Sequence, residues 1–266
     1  MLGRLAGNTV MVIGAVDRGK SHLARYLVAG SPGAAMVSAD VGQPSIGVPA
    51  CLALALRRPW RTPETLWFVG DVTPVRHLLP IVVGTARLAE RARAAGARLV
   101  VIDSSGLVDG PISRLFKYHK AVAARVTDVV AVEQDDELAS LVVLLESVAR
   151  VHRVAPVPVA RERGRDERRQ YRERAFRAHL RGAGVVRFDR HRVIGPTWSP
   201  MASEGPLEGT LVGLIDRKGF CLRLGVVSTM RPHVIEVRVH RPQRGTVTSL
   251  RLGTLRVTRT GEELRR

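Results

Sequence analysis

The sequence predicts an α/β fold in which a parallel sheet is covered by helices, with a small β-module at the C-terminal end. Three observations lead to this prediction. Strand and helix patterns alternate over the first 160 residues, an order that is typical of parallel sheets. A glycine-rich loop joins the first strand to the first helix. An arginine-rich segment at 161–181 is then followed by short strands separated by turn residues.

The elements of the first part follow from short apolar runs and from helical spacing. Apolar runs of strand length predict buried strands, and they occupy residues 9–13, 35–39, 66–69, 98–103 and 129–132. Helical spacing covers residues 21–27, 77–95, 112–124 and 137–149, and Pro80 interrupts the second of these helices. The run 154–159 contains two prolines, so it is expected as an edge strand at most.

The pattern changes after residue 160. Residues 161–181 are charged and helical, and strands are predicted at 185–188, 210–215, 220–224, 234–239 and 254–257, with a hairpin turn at 216–219. We therefore expect two units. The first comprises residues 1–182 and includes the arginine-rich helix 161–181, and the second is a β-module of residues 183–266.

Charge is the second informative property of the chain. The sequence has 42 Lys and Arg against 24 Asp and Glu, which gives a net charge of +18. A positive field of this size attracts polyanions, so contact with nucleic acid is expected. A GC-rich genome would explain why arginine is preferred over lysine, but it would not explain the shortage of acidic residues.

The sequence indicates a cytoplasmic protein without membrane contact, and it leaves the oligomeric state open. No apolar run approaches the roughly 18 residues of a membrane span, and the N-terminus lacks a signal-peptide pattern. Cys51 and Cys221 lie far apart in the sequence without metal-ligand spacing, so they are expected as buried thiols rather than as a disulfide.

Residues 14–21 match the phosphate-binding loop G-x-x-x-x-G-K-[ST] in full. The preceding strand and the following helix supply the context that the motif requires. Gly14 and Gly19 permit backbone angles that turn N–H groups toward phosphate oxygens. Lys20 is expected to reach the β- and γ-phosphates of a nucleoside triphosphate, and the Ser21 hydroxyl to bind Mg²⁺. The residues expected to contact the nucleotide are Gly14, Ala15, Val16, Asp17, Arg18, Gly19, Lys20, Ser21 and His22.

Two carboxylates follow predicted strands. Asp40 comes after the second strand, and Asp103 ends the strand 98–103. Because the carboxyl ends of parallel strands line the ligand crevice, Asp40 is expected beside the phosphate-binding loop. There it can bind Mg²⁺ or accept a proton from an attacking hydroxyl. Asp103 has the form of a second metal-site carboxylate, although this form is common.

These motifs together resemble the polynucleotide 5′-hydroxyl kinases, a family that includes the kinase subunit of the pre-mRNA cleavage complex. The resemblance rests on Gly14-x-x-Asp17-x-Gly19-Lys20-Ser21, Asp40-Val41-Gly42-Gln43 and Ser104-Ser105-Gly106. It implies a P-loop NTPase fold and ATP with Mg²⁺ as the phosphate donor. It also implies that the acceptor is a single-stranded or duplex-end nucleic acid with a free 5′-hydroxyl.

The resemblance further implies roles for individual residues on the acceptor side. Asp40 would activate the 5′-hydroxyl, and Gln43 would line the substrate site. Ser104, Gly106 and Leu107 would form a clasp that holds the terminal nucleotide. Two departures from the family pattern bear on this. Ser38 stands where the family often has an acidic residue, and Leu107 replaces the clasp tryptophan, so base stacking worth about 1–3 kcal/mol is absent.

The arginine-rich helix resembles the family's lid. Arg163, Arg168 and Arg172, followed by Glu173 and Phe176, are expected to close over ATP and to stabilise the charge of the transferred phosphoryl group. A spacing of four places Arg168 and Arg172 on one helical face. The alternative interpretation is a solvated helix whose arginines pair with neighbouring acidic residues.

Three further residues lie near the predicted site. Lys117 and Lys120 are on the helix after the clasp, where they are expected to contact nucleic-acid phosphates. His77 lies in a segment that also resembles a family loop, where it could contact the substrate, although a capped or packed histidine is the favoured interpretation.

The predicted activity is therefore transfer of the γ-phosphate of ATP to the 5′-hydroxyl of RNA or DNA. A GTPase is disfavoured because the sequence has no [NT]-K-x-D motif. A small-molecule kinase would use the same loop but would not need so basic a surface. An ATP-binding scaffold without catalysis stays open, although the intact Lys20, Ser21 and Asp40 argue against it.

Overall fold

A computed structural model describes residues 8–57, 60, 62–156, 164–195, 207–240 and 245–264. The strands are β1 (Thr9–Ile13), β2 (Ala34–Ala39), β3 (Cys51–Ala55), β4 (Thr65–Phe68), β5 (Leu99–Ser104), β6 (Asp128–Val132), β7 (Arg150–Val154), β8 (Gly184–Asp189), β9 (Val193–Ile194), β10 (Thr210–Ile215), β11 (Cys221–Met230), β12 (Val234–Val239) and β13 (Ser249–Arg256). The helices are α1 (Lys20–Ala29), α2 (Leu78–Ala94), α3 (Pro111–Ala124), α4 (Ala139–Glu146) and α5 (Arg165–Leu180).

The first part of the chain forms the predicted parallel sheet. Its strands lie in the order β7-β6-β1-β5-β2, and every pair in this row is parallel. Parallel strands end at the same edge of the sheet, so the segments after β1, β2 and β5 meet there. The predicted α/β architecture is confirmed.

The row continues with two antiparallel strands, which departs from the all-parallel expectation. β3 pairs with β2, and β4 pairs with β3. The sequence analysis missed β3 because its Cys-Leu-Ala-Leu-Ala run has no β-branched or aromatic residue, the types that favour strands.

The edge strand β7 spans Arg150–Val154 rather than 154–159. It carries arginines at its two exposed positions and a half-buried histidine between them, so the apolar pattern that would have indicated a strand is weak. Of the expected run, residues 157–159 lie outside the described residues.

Both faces of the parallel sheet are covered, and β1 shows how. Val10 and Val12 pack in one core cluster with Ala24 and Val28 of α1 and with Phe176 of α5. Met11 and Ile13 pack on the other face, in a cluster that includes residues of α2, α3 and α4. Alternate strand residues point to opposite faces, so one apolar strand supports both layers.

Pro80 does not interrupt α2. It is the third residue of this helix, within the first turn, where a backbone N–H has no partner inside the helix in any case. The arginine-rich helix α5 spans Arg165–Leu180, and residues 161–163 of the expected range lie outside the described residues.

The C-terminal strands extend the same sheet. β11 joins β4 through the pair Cys221 and Leu66, and β10, β13 and β9 follow. The turn at 216–219 forms the predicted hairpin between β10 and β11, whereas β13 begins at Ser249, five residues before the expected start. A boundary between two units near residue 182 stays a prediction. None of the described helices is long and apolar enough to cross a membrane.

Candidate active site at the phosphate-binding loop

The loop between β1 and α1 has the backbone that its two glycines were predicted to permit. Gly19 has φ +84° and immediately precedes α1. A Cβ at Gly14 would lie 2.5 Å from the Val132 carbonyl oxygen, so the loop can pass the end of β6 only with glycine there. The first N–H groups of α1 and the loop amides surround the space where a helix N-terminus binds phosphate.

Lys20 lies at the base of this loop. Its side chain is buried, and Nζ donates a hydrogen bond to the Ala15 carbonyl oxygen at 2.5 Å. Burial lowers the pKa of Lys20, whereas the charges of Asp103 and Asp40 raise it. The amine therefore lies within the field of both carboxylates that follow the sheet strands.

Asp40 follows β2 with a fixed orientation. Its Oδ1 accepts hydrogen bonds from the backbone N–H groups of Gly42 at 2.8 Å and Gln43 at 2.9 Å. This turn holds the carboxylate beside the phosphate-binding loop and leaves Oδ2 for another ligand. Gly42 packs so closely that a Cβ would lie 2.8 Å from the Val72 carbonyl oxygen.

Asp103 lies in an environment that its place in the sequence did not reveal. It is 1% exposed, and neither carboxyl oxygen has a hydrogen-bond partner among the described residues. Burial raises the pKa of the Asp103 carboxyl, against the opposing effects of the nearby Ser45 and Ser21 hydroxyls and of Lys20. Burying a carboxylate is costly, and the positive charge of Lys20 offsets part of that cost. A bound cation at this position would offset more of it.

The oxygen ligands fit Mg²⁺. Ser21, Asp40 and Asp103 supply a hydroxyl and two carboxylates at one edge of the sheet. Among the described residues, no three His, Cys, Asp or Glu side chains group closely enough to hold a metal. Mg²⁺ is usually held by one or two carboxylates together with substrate phosphates, so this donor set matches that ion.

The segment after β5 packs directly on the phosphate-binding loop. A Cβ on Gly106 would lie 2.6 Å from Val16 Cγ2 and 2.8 Å from its backbone nitrogen. Ser104 Oγ donates a hydrogen bond to the Val12 carbonyl oxygen at 2.7 Å. Leu107 is half-buried and packs against the core cluster that lies under α2, α3 and α4. The structure thus brings the predicted clasp residues to the nucleotide side of the sheet.

Lys117 and Lys120 correct the sequence expectation. Both side chains are fully buried, so α3 does not present them on the surface as phosphate contacts. Lys117 Nζ donates hydrogen bonds to Ser104 Oγ at 2.9 Å and to the Ser105 carbonyl oxygen at 2.5 Å. Lys120 Nζ lies 4.2 Å from the centre of the Phe116 ring. Sequence spacing could not distinguish an inward face of α3 from an outward one.

The helix α5 contacts the site through its N-terminal half. Arg168 Nη2 donates to Asp17 Oδ2 at 2.9 Å, and the Tyr171 hydroxyl donates to the Pro44 carbonyl oxygen at 2.9 Å. These contacts connect α5 to the phosphate-binding loop and to the segment after Asp40. Arg163, the third predicted lid arginine, lies outside the described residues.

Arg172 differs from the expectation that it faces the nucleotide together with Arg168. Its guanidinium forms two parallel hydrogen bonds with the Glu263 carboxylate, one of them 2.9 Å from Nη2 to Oε2. Both side chains are mostly buried. A separation of four residues allows two side chains to share a face, but Glu263, far away in the sequence, determines where this arginine points.

The remaining predicted nucleotide and substrate residues occupy the surroundings of the loop. Arg18 forms a bidentate ion pair with Glu137, 2.8 Å from Nη2 to Oε2. His22 is exposed on α1, and Gln43 is half-buried with its Nε2 unpartnered among the described residues. Only the backbone of Gln43 binds Asp40.

His77, the residue that immediately precedes α2, is half-buried and held by hydrogen bonds. Its Nε2 lies 3.2 Å from Thr254 Oγ1, and Thr254 also donates a hydrogen bond to the buried Asp71. This cluster joins the segment after β4 to β13. The sequence analysis did not predict it, because a contact across 183 positions leaves no local signal.

Comparisons with known proteins agree with this geometry. The sequence profile of the family described as "mRNA cleavage and polyadenylation factor CLP1 P-loop" matches residues 14–182. Similar proteins include the polyribonucleotide 5′-hydroxyl-kinases of Pyrococcus horikoshii, 27% identical over 96% of this chain and 88% of that protein, and of Pyrococcus abyssi, 28% identical over 96% and 89%. The solved structure of wild-type Clp1p in complex with Pcf11p has a TM-score of 0.68 at 13% identity, covering 94% of this chain and 75% of that one. The family predicted from the sequence motifs is confirmed.

Proposed function

Because the chain belongs to the CLP1 P-loop family, we propose that it is an ATP-dependent polynucleotide 5′-hydroxyl kinase. One observation carries the proposal. The phosphate-binding loop, the Asp40 carboxylate and the Ser104–Gly106 segment meet at one edge of the sheet, where Gly106 packs on Val16. A donor phosphate and an acceptor hydroxyl need this juxtaposition for direct transfer.

The donor side is the phosphate-binding loop. Lys20 and the loop amides would hold the β- and γ-phosphates of ATP. Mg²⁺, held by Ser21 with Asp40 or Asp103, would neutralise part of the phosphate charge. Arg168, which pairs with Asp17 of the loop, would stabilise charge on the transferred group.

The acceptor side is centred on Asp40. Its orientation is fixed by the Gly42 and Gln43 amides, so its free oxygen can accept the proton of a 5′-hydroxyl. The 5′ oxygen then forms a bond to the γ-phosphorus while the bond between that phosphorus and the β-γ bridging oxygen breaks. The products are a 5′-phosphorylated polynucleotide and ADP.

Charge and the named relatives support a polynucleotide over a small acceptor. A net charge of +18 favours a polyanionic substrate. The Pyrococcus relatives are named polyribonucleotide kinases, which favours RNA over DNA. The second candidate function, an ATP-binding scaffold, would share the fold with Clp1p, which was solved in a complex with Pcf11p.

Transfer from γ-labelled ATP tests the proposal. The protein is incubated with Mg²⁺ and, separately, with 5′-hydroxyl RNA, 5′-hydroxyl DNA, a nucleoside and a 5′-phosphorylated RNA as the blocked control. We expect label on the 5′-hydroxyl oligonucleotides, most on RNA, and none on the blocked RNA.

Lys20→Ala serves as the inactive control and should lose at least about 10²-fold in rate, because it removes preorganised phosphate stabilisation. Label on the nucleoside alone would indicate a small-molecule kinase. ATP binding without transfer to any acceptor would indicate a scaffold.

A further inference from the structure

Lys117 makes an unusual set of contacts for a fully buried lysine. Its Nζ donates to Ser104 Oγ and to the Ser105 carbonyl oxygen, at 2.9 and 2.5 Å. Burying an amine is costly unless its donors are satisfied, and the two acceptors are consecutive residues, the last residue of β5 and the one that follows it. An amine donates these two hydrogen bonds whether it is charged or neutral.

The contacts fix the whole segment, because each acceptor leads to a further contact. Ser104 Oγ accepts from Lys117 and donates to the Val12 carbonyl oxygen at 2.7 Å, which connects α3 through β5 to β1. The Ser105 carbonyl belongs to the peptide that continues into Gly106, and Gly106 packs on Val16. A displacement of this peptide would therefore move the segment relative to the phosphate-binding loop.

We propose that Lys117 is a positioning residue for the acceptor polynucleotide: it holds Ser104–Gly106 in the place where the terminal nucleotide binds. This inference rests on the proposed kinase function and assigns to α3 a role that surface contact with phosphates would not require. Lys117 does not touch the substrate. It acts through Ser104 and Ser105.

The effect should fall on the acceptor more than on ATP. The phosphate-binding loop has its own supports, since Arg18 pairs with Glu137 and Asp17 pairs with Arg168. These ion pairs do not involve α3. Releasing Ser104–Gly106 should therefore leave the phosphate-binding loop in place and make the position of the acceptor-binding segment less well defined.

Lys120 provides a matched control on the same helix. It is also a fully buried lysine, one turn further along α3, but its Nζ has no hydrogen-bond partner among the described residues and lies against the Phe116 ring. Replacing either lysine with methionine removes one buried amine and retains a similar shape. Only the Lys117 replacement releases the Ser104–Gly106 segment.

The experiment compares Lys117→Met with Lys120→Met in steady-state transfer to a 5′-hydroxyl RNA. We expect Lys117→Met to raise KM for the RNA about tenfold or more, since two hydrogen bonds are lost, while KM for ATP changes less than about threefold. Lys120→Met should leave both constants close to wild type. Equal changes in the two variants, or an unchanged RNA KM in Lys117→Met, would overturn the inference.

A second pair of variants covers the case in which Lys117→Met does not fold. Lys117→Gln keeps a shorter donor and should restore part of the RNA affinity, and Ser104→Ala removes one acceptor from the same pair. If the lysine acts through Ser104, combining Lys117→Gln with Ser104→Ala should raise KM for RNA by less than the product of the fold-changes that the two single variants cause. A KM for RNA in the double variant that equals this product would show that the two residues act independently and would contradict the coupling. Absence of transfer by the wild-type protein would instead refute the kinase function itself.

Discussion

Arg168 Nη2 lies 2.9 Å from Asp17 Oδ2, so helix α5 is bound directly to the phosphate-binding loop. Both side chains are largely shielded from solvent, where charge-assisted hydrogen bonds are strongest. The pair gives Asp17 a role that its place in the loop motif does not reveal. It holds the Arg168 guanidinium at the phosphate-binding loop and keeps α5 close to that loop.

Replacing Asp40 should separate chemistry from nucleotide binding. Asp40→Asn keeps an oxygen that can accept from the Gly42 and Gln43 amides but removes the proton acceptor. We expect kcat to fall by roughly 10²–10⁴-fold, with little change in the dissociation constant for ATP measured by calorimetry. Equal losses in ATP binding and turnover would indicate that Asp40 acts mainly as a metal ligand and not as the proton acceptor.

Asp103→Asn should stabilise the fold and impair the enzyme. The substitution removes a buried carboxylate whose pKa is raised by burial, so the midpoint of urea unfolding without Mg²⁺ should rise. The same change removes a candidate Mg²⁺ ligand, so half-maximal transfer should need more Mg²⁺. A higher urea midpoint together with a weaker response to Mg²⁺ would identify a carboxylate that serves function and destabilises the protein when no Mg²⁺ is bound. A variant with unchanged Mg²⁺ dependence would show that Asp103 is not a ligand.

The arginines of α5 should divide into two classes. Arg168→Ala is expected to slow transfer at saturating ATP and RNA, and Arg168→Lys should rescue only part of the rate because an ammonium lacks the planar guanidinium. Arg172→Ala should instead lower the free energy of unfolding by roughly 1–3 kcal/mol, since it releases Glu263. Rates and urea unfolding of both variants separate the classes.

Two matched variants control this prediction. Arg174 is exposed on the same helix, so Arg174→Ala reports the effect of losing one surface charge. Glu263→Gln weakens the Arg172 pair from the other side and should reproduce the stability loss. A fall in kcat for Arg172→Ala as large as that for Arg168→Ala would show that Arg172 also contributes to transfer, as the lid interpretation predicts.

Lys120 should make stability depend on pH in the alkaline range. Burial lowers the pKa of Lys120 to about 7 from its ordinary value of 10.5. The unfolded chain therefore binds a proton between these values that the folded chain does not, and stability falls as pH decreases from about 10 toward 7. Lys120→Met should flatten this slope and be more stable than wild type at pH 7. Urea unfolding of both proteins at several pH values measures the difference. If the free energy of unfolding depended on pH equally in both proteins, Lys120 would not be the group whose titration causes the slope.

The sequence was informative wherever one segment carries its own signal. The phosphate-binding loop, the strand before Asp40, the strand that contains Asp103, and the hairpin at 216–219 are local patterns, and the structure has each of them. Contacts between distant segments had no such signal. Arg172 is directed by Glu263, and His77 by Thr254.

The orientation of α3 was the other limit. Lys117 and Lys120 appeared to be surface cations, because lysine is almost never fully buried. The structure directs them inward. Exposed apolar residues occupy outer positions of α3 instead, Ile112 and Leu115 among them, so residue type was a poor guide to which face of this helix is buried.

Acceptor binding should be electrostatic, with weak selection for the terminal base. The excess of positive charge and the leucine at the clasp position both favour this outcome. The logarithm of RNA affinity should fall linearly with the logarithm of salt concentration, with a slope of about −0.7 per phosphate contacted on a single strand. Leu107 is half-buried beside the core, and Leu107→Trp should tighten RNA binding by up to about 3 kcal/mol if the ring can stack on a base. Leu115→Trp, on the exposed face of α3, is the control for adding an aromatic ring and should change affinity little. Salt-independent binding, or strong discrimination among terminal bases, would show instead that the pocket reads base edges.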